Sequence, residues 1–289
     1  MKLFQKIKES NGYRHIYFCG IKILSYKNWK GYDLSYGTKN YNKVKPCSKF
    51  SKETHCFPKI TIIYPVYYSN KKHEEGLKKL LKRYEAFSSE TKKNFEIILV
   101  DDCSPHPLSL PKVNLNITLL RIKKDIKWNN SGARNLGACY ASTPKIMLLD
   151  IDLFCPEKTL KNCIDIDLKY KDVMVFKVIR TNPTVHPNLY CMTKKTFFDL
   201  GCYDESWCGF YGEDIFYNRY INSHGANIIL LDNNEIIDTK AYGTHNLSRS
   251  VDKVRKRLYK MKTLEHKKEI LKFPWEYVES NQYIESQKG

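Results

Sequence analysis

The sequence contains no run of 18 apolar residues, so it offers no candidate for a membrane-spanning helix. Residues 1–11 are polar and lack the apolar core of a signal peptide, from which we expect a cytoplasmic protein. None of the ten cysteines has Cys-x-x-Cys spacing, which argues against a zinc ribbon or a thioredoxin motif. Several cysteines lie in apolar stretches, and we interpret them as reduced thiols of the core.

Acidic residues are outnumbered by basic ones, 31 against 49, which gives a formal net charge of +18. A balance this basic indicates a polyanionic partner, such as nucleic acid, an anionic membrane surface or a phosphorylated substrate. Thirteen glycines and eleven prolines exclude collagen-like and low-complexity classes. With 42% hydrophobic residues, the chain of 289 residues can bury the core of one large domain or two small ones.

Changes of composition divide the chain into three parts. Residues 1–57 form a polar, basic N-terminal extension, residues 58–250 form the main domain, and residues 251–289 form a basic amphipathic helical tail. Strands are predicted at residues 60–66, 95–100, 117–122, 145–149, 172–179 and 227–231, and helices at 77–87, 131–141, 156–170, 214–223 and 250–273. This alternation predicts an α/β fold with a mostly parallel sheet covered by helices on both faces.

Two acidic pairs follow predicted strands, where the ligands of such sheets bind. Asp150 and Asp152 are separated by one residue, so both carboxylates point to the same side of an extended segment. Such carboxylates repel unless a cation or hydrogen-bond donors lie between them, and Mg²⁺ or Mn²⁺ is the obvious cation. In the other pair, Asp101 and Asp102, a carboxylate can accept hydrogen bonds from a ribose or a base. Both pairs are also compatible with ordinary turns or helix caps.

Three further motifs carry groups that suit a ligand. The segment 132–137, Gly-Ala-Arg-Asn-Leu-Gly, presents Arg134, whose planar charged fork suits a phosphate or a base carbonyl. The segment 207–214 combines aromatic rings with Glu213 and Asp214, which suits a wall for the apolar faces of a sugar beside a general base. His245 follows later in the chain. The structural alternatives are a packing arginine, acids favoured by a helix dipole and an ordinary core or surface histidine.

Taken in order along the chain, these motifs resemble a family 2 glycosyltransferase of the GT-A fold, over about residues 59–250. The resemblance rests on Ile-Tyr-Pro-Val-Tyr at 63–67, Val-Asp-Asp-Cys-Ser at 100–104, Gly-Ala-Arg-Asn-Leu-Gly at 132–137 and Leu-Leu-Asp-Ile-Asp at 148–152. Residues 198–214 are similar to the acceptor half of beta-1,4-galactosyltransferases and chondroitin-polymerase-type enzymes. Residues 16–27 resemble leader segments of bacterial lipooligosaccharide and capsule transferases.

The resemblance implies a Rossmann-like mixed sheet flanked by helices, and it implies roles for particular residues. The donor nucleotide would be bound by Pro65 and Tyr67 at the uracil pocket, Asp102 on the uracil, Arg134 near the nucleotide and Asp150 near the ribose. The metal ion, Mn²⁺ or Mg²⁺, would be bound by Asp152 and His245. The acceptor sugar would be held by Glu213, with Trp207, Phe210, Tyr211 and Gly212 around it. Asp214 would be the general base.

These roles predict an inverting, metal-dependent transfer of a hexose or N-acetylhexosamine from a UDP-sugar to a hydroxyl of a bacterial surface glycan, either lipooligosaccharide or capsular polysaccharide. The donor sugar stays open among galactose, GalNAc, GlcNAc, glucose and an acid sugar. A lipid-linked acceptor at the anionic inner face of the cytoplasmic membrane accounts for the basic charge. A nucleotidyltransferase acting on a sugar phosphate is the nearest alternative. A nucleic-acid-binding protein explains the charge but not the clustered acids, so we expect no nucleic acid partner.

Overall fold

The computed structural model describes the backbone of residues 4–8, 13–18 and 21–27, and it describes residues 58–180, 184–209, 217–218, 220–222, 224–239 and 270–285. The first three segments are strands: β1 (Phe4–Lys8), β2 (Tyr13–Phe18) and β3 (Ile21–Lys27). They pair antiparallel in that order and form a three-stranded sheet of their own. This sheet lies within the predicted N-terminal extension.

A nine-stranded mixed sheet forms the centre of the main domain. Its strands are β4 (Ile60–Val66), β5 (Phe95–Asp101), β6 (Ile117–Ile122), β7 (Lys145–Leu148), β8 (Leu153–Phe154), β9 (Asp172–Ile179), β10 (Thr184–Thr193), β11 (Asn227–Asp238) and β12 (Trp275–Asn281). Their order across the sheet is β12-β6-β5-β4-β7-β10-β9-β11-β8. The central strands β6, β5, β4 and β7 are parallel, so their carboxyl ends meet at one edge. β10 is antiparallel to β7 and β9.

Five α-helices have described bounds: α1 (Lys71–Glu85), α2 (Ser89–Lys93), α3 (Asn130–Tyr140), α4 (Glu157–Asp165) and α5 (Lys194–Asp199). Residues 217–218 and 220–222, within the predicted helix 214–223, are also helical. Apolar residues of α1 and α4 pack on one face of the sheet, and those of α3 and α5 pack on the other. A β-carbon at Gly137 would lie 2.4 Å from Cγ2 of Ile63, so glycine permits the close approach of α3 to β4. The predicted α/β class, with helices on both faces of a central sheet, is confirmed, but the sheet is mixed rather than mostly parallel, because β8, β10 and β12 pair antiparallel with their neighbours.

The central strands match their prediction because both of their faces are covered. In β4 every residue is buried except Pro65, which is half-buried, and β5 is buried throughout. A strand that is covered on both faces has a nearly continuous apolar sequence, which makes it recognisable. For the same reason β6 and β9 have the predicted bounds, 117–122 and 172–179. None of the helices in the described ranges has the length and hydrophobicity needed to cross a membrane.

The helix predicted over residues 156–170 is wrong in its length, because α4 ends at Asp165. The amino group of Lys145 donates hydrogen bonds to the carbonyl oxygens of Cys163 (2.8 Å) and Ile166 (3.0 Å) and also to that of Ile164. A cation that binds the terminal carbonyl groups stabilises the end of a helix at that point. Lys145 lies 21 positions before Ile166 in the sequence. The residues around Ile166 therefore contain no local signal for the end of the helix.

The helical tail is also wrong where the structure describes it. Residues 251–269 lie outside the described residues, and residues 270–285, which the structure describes, are not helical. Instead β12 pairs antiparallel with β6 and becomes the edge strand of the central sheet. The indole of Trp275 packs edge-on against the ring of Tyr140, with ring centroids 6.1 Å apart. Aromatic and β-branched residues favour strands, and β6 presents an open edge for this one.

Candidate active site

The strand ends that carry the predicted donor residues meet at the carboxyl edge of the sheet. The amide nitrogen of Asp102 donates a hydrogen bond of 2.8 Å to the carbonyl oxygen of Val66, between Pro65 and Tyr67. On the other side of β4, the amide nitrogen of Leu149 donates to the carbonyl oxygen of Ile63 at 3.1 Å. The structure therefore places Pro65, Tyr67 and Asp102 side by side, with Asp150 one strand away. Their predicted contacts with uracil and ribose stay predictions.

Helix α3 contacts both acidic segments. Its N-cap residue, Asn129, donates from Nδ2 to Oδ1 of Asp102 at 3.0 Å. One turn later Arg134 donates from Nη2 to Oδ1 of Asp150 at 2.5 Å. A β-carbon at Gly132 would lie 2.3 Å from Oδ1 of Asn129, so glycine leaves room for the asparagine side chain. Helix α3 and its N-cap residue thus link the ends of β5 and β7.

Arg134 is wholly buried, and the groups around it orient its guanidinium. Its Nη1 donates to the carbonyl oxygen of Asn188 at 2.7 Å and to the hydroxyl of Tyr203 at 2.9 Å. The same hydroxyl donates to Oδ1 of Asn188 at 2.7 Å. A fork held in this way presents one nitrogen to Asp150 in a defined direction. Arg134 therefore positions Asp150, and its direct contact with a nucleotide stays a prediction.

The first acid of the pair at the end of β5 has a structural role. Asp101 is buried, and its Oδ1 accepts hydrogen bonds from the amide nitrogen (2.9 Å) and the hydroxyl (2.5 Å) of Ser104. Its Oδ2 pairs with Arg121, which also donates to the carbonyl oxygen of Ser104 at 2.8 Å. These bonds close the turn after β5, in which Cys103 has a positive φ of 57°. The turn directs Asp102, rather than Asp101, toward α3.

Negative charge is concentrated around Asp152. Burial first, and then the charges of Asp150 and Asp238, raise the pKa of this carboxyl to about 7, against an opposing effect of Arg180. Its backbone is held by Thr239, whose amide nitrogen and hydroxyl each donate to the Asp152 carbonyl oxygen at 2.8 Å. A hard divalent cation favours carboxylate oxygens and would offset this repulsion, so Asp152 suits a metal ligand.

A complete metal site is not formed by the part of the chain that the structure describes. Within those ranges no three His, Cys, Asp or Glu side chains are grouped closely enough to hold a metal ion. The second predicted ligand, His245, lies outside the described residues, as do the predicted acceptor and catalytic residues Phe210, Tyr211, Gly212, Glu213 and Asp214. Asp152 is thus the one predicted metal ligand whose surroundings are described.

Trp207, predicted to contact the acceptor, is only 3% exposed and belongs to a short 3-10 helix, Glu205–Trp207. A buried indole does not offer its face to a sugar, so this position argues against direct stacking. Two residues later, the amide nitrogen of Gly209 donates a hydrogen bond to the carbonyl oxygen of Trp128 at 2.5 Å. Gly209 has a φ of +98°, which glycine adopts without strain.

A buried chain of hydrogen bonds, absent from the sequence analysis, connects α3 to the C-terminal segment. Asn135 donates from Nδ2 to the carbonyl oxygen of Tyr203 (2.8 Å) and to Oε1 of Glu205 (2.9 Å). The carboxylate of Glu205 also accepts from the amide nitrogens of Leu271 (2.7 Å) and Lys272 (2.9 Å). Burial raises the pKa of Glu205 to about 7, against the opposing effect of these donors. Asn135 and Glu205 both lie in motifs that carried the resemblance. Their closeness in the sequence to Arg134 and Asp214 was the only signal that could have marked them as site residues.

Strand β10 also contributes residues that the sequence analysis missed. Tyr190 pairs with Leu148 of β7, so the residues that precede Tyr190 extend past the end of β7 toward Asp150. Among them is His186, whose Nε2 lies 3.9 Å from Oδ2 of Asp150. The sequence of this strand contains Pro187, which cannot donate to a strand ladder and argues against a strand. No local pattern therefore marked His186 or Asn188.

The fold and the strand-end carboxylates are those of a nucleotide-binding α/β domain. Residues 61–224, more than half of the 289 residues, match the glycosyl transferase family 2. The chain belongs to this family, as its motifs predicted. The match contains the residues predicted to bind the donor, and it favours a transferase over the nucleic-acid-binding alternative. No curated protein matches the chain.

Solved structures similar to this chain include three of TarS from S. aureus. One, of residues 1–349, is 16% identical, with 63% of this chain and 60% of that chain covered and a TM-score of 0.48. A second, of the same residues in complex with UDP, is 16% identical, covers 62% and 60%, and has a TM-score of 0.47. A third is 19% identical, covers 63% and 36%, and has a TM-score of 0.46. The chain thus spans less than two thirds of each of these structures.

Proposed function

We propose that this protein transfers a hexose or N-acetylhexosamine, with inversion, from a UDP-sugar to a hydroxyl of a bacterial surface glycan. The observation that carries the proposal is the junction made by α3, which binds Asp102 through Asn129 and Asp150 through Arg134 within the part of the chain that matches the family. That junction lies at the carboxyl edge of the parallel strands β5 and β7, where ligands of such sheets bind. Lipooligosaccharide and capsular polysaccharide are the proposed products.

The proposed mechanism is a single displacement. A carboxylate oxygen of Asp214 takes the proton of the acceptor hydroxyl while the oxygen of that hydroxyl forms a bond to the anomeric carbon of the donor. The bond from that carbon to the diphosphate oxygen breaks on the opposite face, and UDP leaves. Glu213 orients the acceptor sugar. One displacement needs one base and no covalent intermediate on the protein, which accounts for inversion.

Asp152 and His245 are the residues that would hold Mn²⁺ or Mg²⁺. When bound, the metal ion would supply positive charge to the leaving diphosphate. The support for this assignment is that burial, and then the charges of Asp150 and Asp238, raise the pKa of Asp152 to about 7. Carboxylate and imidazole ligands both suit Mn²⁺.

A lipid-linked acceptor at the inner face of the cytoplasmic membrane fits the charge of the chain. The formal net charge of +18 favours contact with anionic headgroups or with an acidic glycan. Peripheral association of this kind needs no spanning helix, only exposed basic groups near the membrane surface.

The reaction itself is tested by UDP release. The full chain is incubated with UDP-galactose, UDP-GalNAc, UDP-GlcNAc, UDP-glucose and a UDP-linked acid sugar, separately, with Mn²⁺ or with EDTA. We expect slow release from one donor without an acceptor, and loss of that release in EDTA. Release that persists in EDTA would contradict the metal assignment. If no donor releases UDP and UDP itself does not bind to the protein, the proposed function is contradicted.

Asp152→Asn is expected to stabilise the metal-free protein while removing its response to Mn²⁺. Because folding raises the pKa of Asp152, its contribution to stability is complete below about pH 4 and is lost as the pH rises to about 7. Above pH 7 the variant should therefore exceed the wild type in the free energy of unfolding in EDTA, by up to the roughly 4 kcal/mol that a rise of about three pKa units represents. Urea denaturation between pH 4 and pH 8 measures this difference.

Asp165→Asn is the matched control, since Asp165 is an exposed aspartate at the end of α4. We expect it to change the free energy of unfolding by about 0.5 kcal/mol or less at every pH. Addition of Mn²⁺ should raise the stability of the wild type and of this control but not that of Asp152→Asn. Equal stabilisation of all three by Mn²⁺ would exclude Asp152 as a ligand.

A further inference from the structure

An irregular stretch of β10 lies beside Asp150. Val185 pairs with Lys177 of β9 and Tyr190 pairs with Val175, so the four residues 186–189 lie opposite the single residue Phe176. Extra residues of this kind leave the strand ladder and redirect side chains, and they are common beside active sites. Here the stretch supplies two residues that contact the Asp150 carboxylate or the arginine that holds it, namely His186 and Asn188.

The backbone of this stretch determines which nitrogen of His186 carries hydrogen. The amide nitrogen of Asn188 donates to Nδ1 of His186 at 3.3 Å. A ring nitrogen that accepts a hydrogen bond has no hydrogen of its own, so the neutral imidazole carries its hydrogen on Nε2. That nitrogen is a hydrogen-bond donor, and it is the one that faces Asp150.

The geometry of the pair suits a bridging atom. Nε2 of His186 and Oδ2 of Asp150 are 3.9 Å apart, which is too long for a direct hydrogen bond. One oxygen atom can lie within hydrogen-bond distance of both at that separation. The two side chains are 21% and 29% exposed, so they face the outside of the fold rather than the core. Oδ1 of Asp150 meanwhile accepts from the buried Arg134, which directs Oδ2 toward His186.

The chemistry of the pair selects the bridging group. That group must accept a hydrogen bond from Nε2 and donate one to a carboxylate oxygen. A diphosphate oxygen accepts but is repelled by Asp150, and an ammonium group donates but cannot accept. A hydroxyl does both, and a ligand hydroxyl would displace the water molecule that can bridge the same two atoms. We infer that His186 is a specificity-determining residue that, together with Asp150, holds one hydroxyl group of the nucleotide-sugar donor.

This inference rests on the proposed function and adds a residue that belongs to none of the motifs of the chain. The hydroxyl comes from the ribose or from the transferred sugar, and the two sources share the same recognition. His186→Phe removes the donor while keeping a planar ring, and His186→Gln keeps an N–H donor. His224→Phe is the control, because that histidine stacks on Tyr220 and its carbonyl oxygen accepts from Lys171, beside the amino end of β9.

The experiment measures the dissociation constants of UDP, 3′-deoxy-UDP, 2′-deoxy-UDP and the preferred UDP-sugar by calorimetry, with Mn²⁺ present and with the full chain. We expect His186→Phe to weaken binding of the hydroxyl-bearing ligand about five- to tenfold, the range of one neutral hydrogen bond. His186→Gln should recover part of this loss, and His224→Phe should bind like the wild type.

The two sources give different patterns. For a ribose hydroxyl, UDP and the UDP-sugar weaken equally in His186→Phe, and one deoxy-UDP binds the variant and the wild type alike. For a hydroxyl of the transferred sugar, only the UDP-sugar weakens. Wild-type affinity of His186→Phe for both UDP and the UDP-sugar overturns the inference and leaves the proposed function standing. Equal losses in His186→Gln and His186→Phe also overturn it, since they indicate packing. Failure of the wild type to bind any of these ligands overturns the proposed function.

Discussion

Asp214→Asn is expected to lower the rate of sugar transfer by about a thousandfold, within the range that general base catalysis contributes. The amide cannot take the proton of the acceptor hydroxyl, whereas its size and shape match those of the carboxylate. Donor binding should stay within about twofold of the wild type, because Asp214 is assigned to the acceptor proton and not to the nucleotide. Initial rates of transfer to a glycan acceptor, together with calorimetric titration of UDP, separate the two effects.

Two comparisons sharpen this expectation. Asp199→Asn changes a half-buried aspartate of α5 that pairs with the exposed Lys195, and it should transfer sugar at the wild-type rate. Glu213→Gln should raise the KM for the acceptor more than it lowers kcat, since Glu213 is assigned to orientation of the acceptor. Turnover of Asp214→Asn within tenfold of the wild type would remove this residue from the mechanism.

Arg134→Met is expected to have the largest effect on stability. The guanidinium is wholly buried, and its loss leaves Asp150, the Asn188 carbonyl oxygen and the Tyr203 hydroxyl without the donors that they share. Removing one partner of a buried ion pair costs about 3–5 kcal/mol. Because the Asp150 side chain is 29% exposed and water reaches it, we expect a loss of about 3 kcal/mol in the free energy of unfolding, measured by urea denaturation.

The companion variants test the cause. Arg134→Met combined with Asp150→Asn should recover about 1 kcal/mol, since the uncompensated charge is gone. Arg134→Lys should recover little, because an ammonium group lacks the fork that reaches three partners. Lys195→Met, which breaks an exposed ion pair with Asp199, should cost less than about 1 kcal/mol. A loss no larger than that of Lys195→Met would show that the buried network around Arg134 contributes little to stability.

Much of the sheet could be predicted because its buried strands have recognisably apolar sequences. The runs at 60–66, 117–122 and 172–179 have the predicted bounds, since each is apolar over the length that the sheet covers. β10 was missed because Pro187 and the residues around it do not alternate. The C-terminal strand was missed because the residues before it carry a helical pattern. In both cases pairing with a neighbouring strand outweighed the local signal.

The candidate site divides in the same way. The types of its donor-side residues and their positions at strand ends were accessible from motifs, each within a segment of a few residues. The connections among them were not. Arg134 contacts Asp150, Asn188 and Tyr203, which lie 16, 54 and 69 positions away in the sequence. No periodicity relates such positions, since only the path of the chain through the sheet brings them together.

Local hydrophobicity and short motifs were enough to predict the class of fold, the family and the edge of the sheet where the carboxylates lie. The tertiary structure decided that Asp101 closes a turn while Asp102 faces α3, and that Arg134 is buried behind Asp150. It also decided that His186 stands beside that carboxylate. The physical reason is that hydrogen bonding in a buried site depends on which segments the fold packs together, and those segments are far apart along the chain.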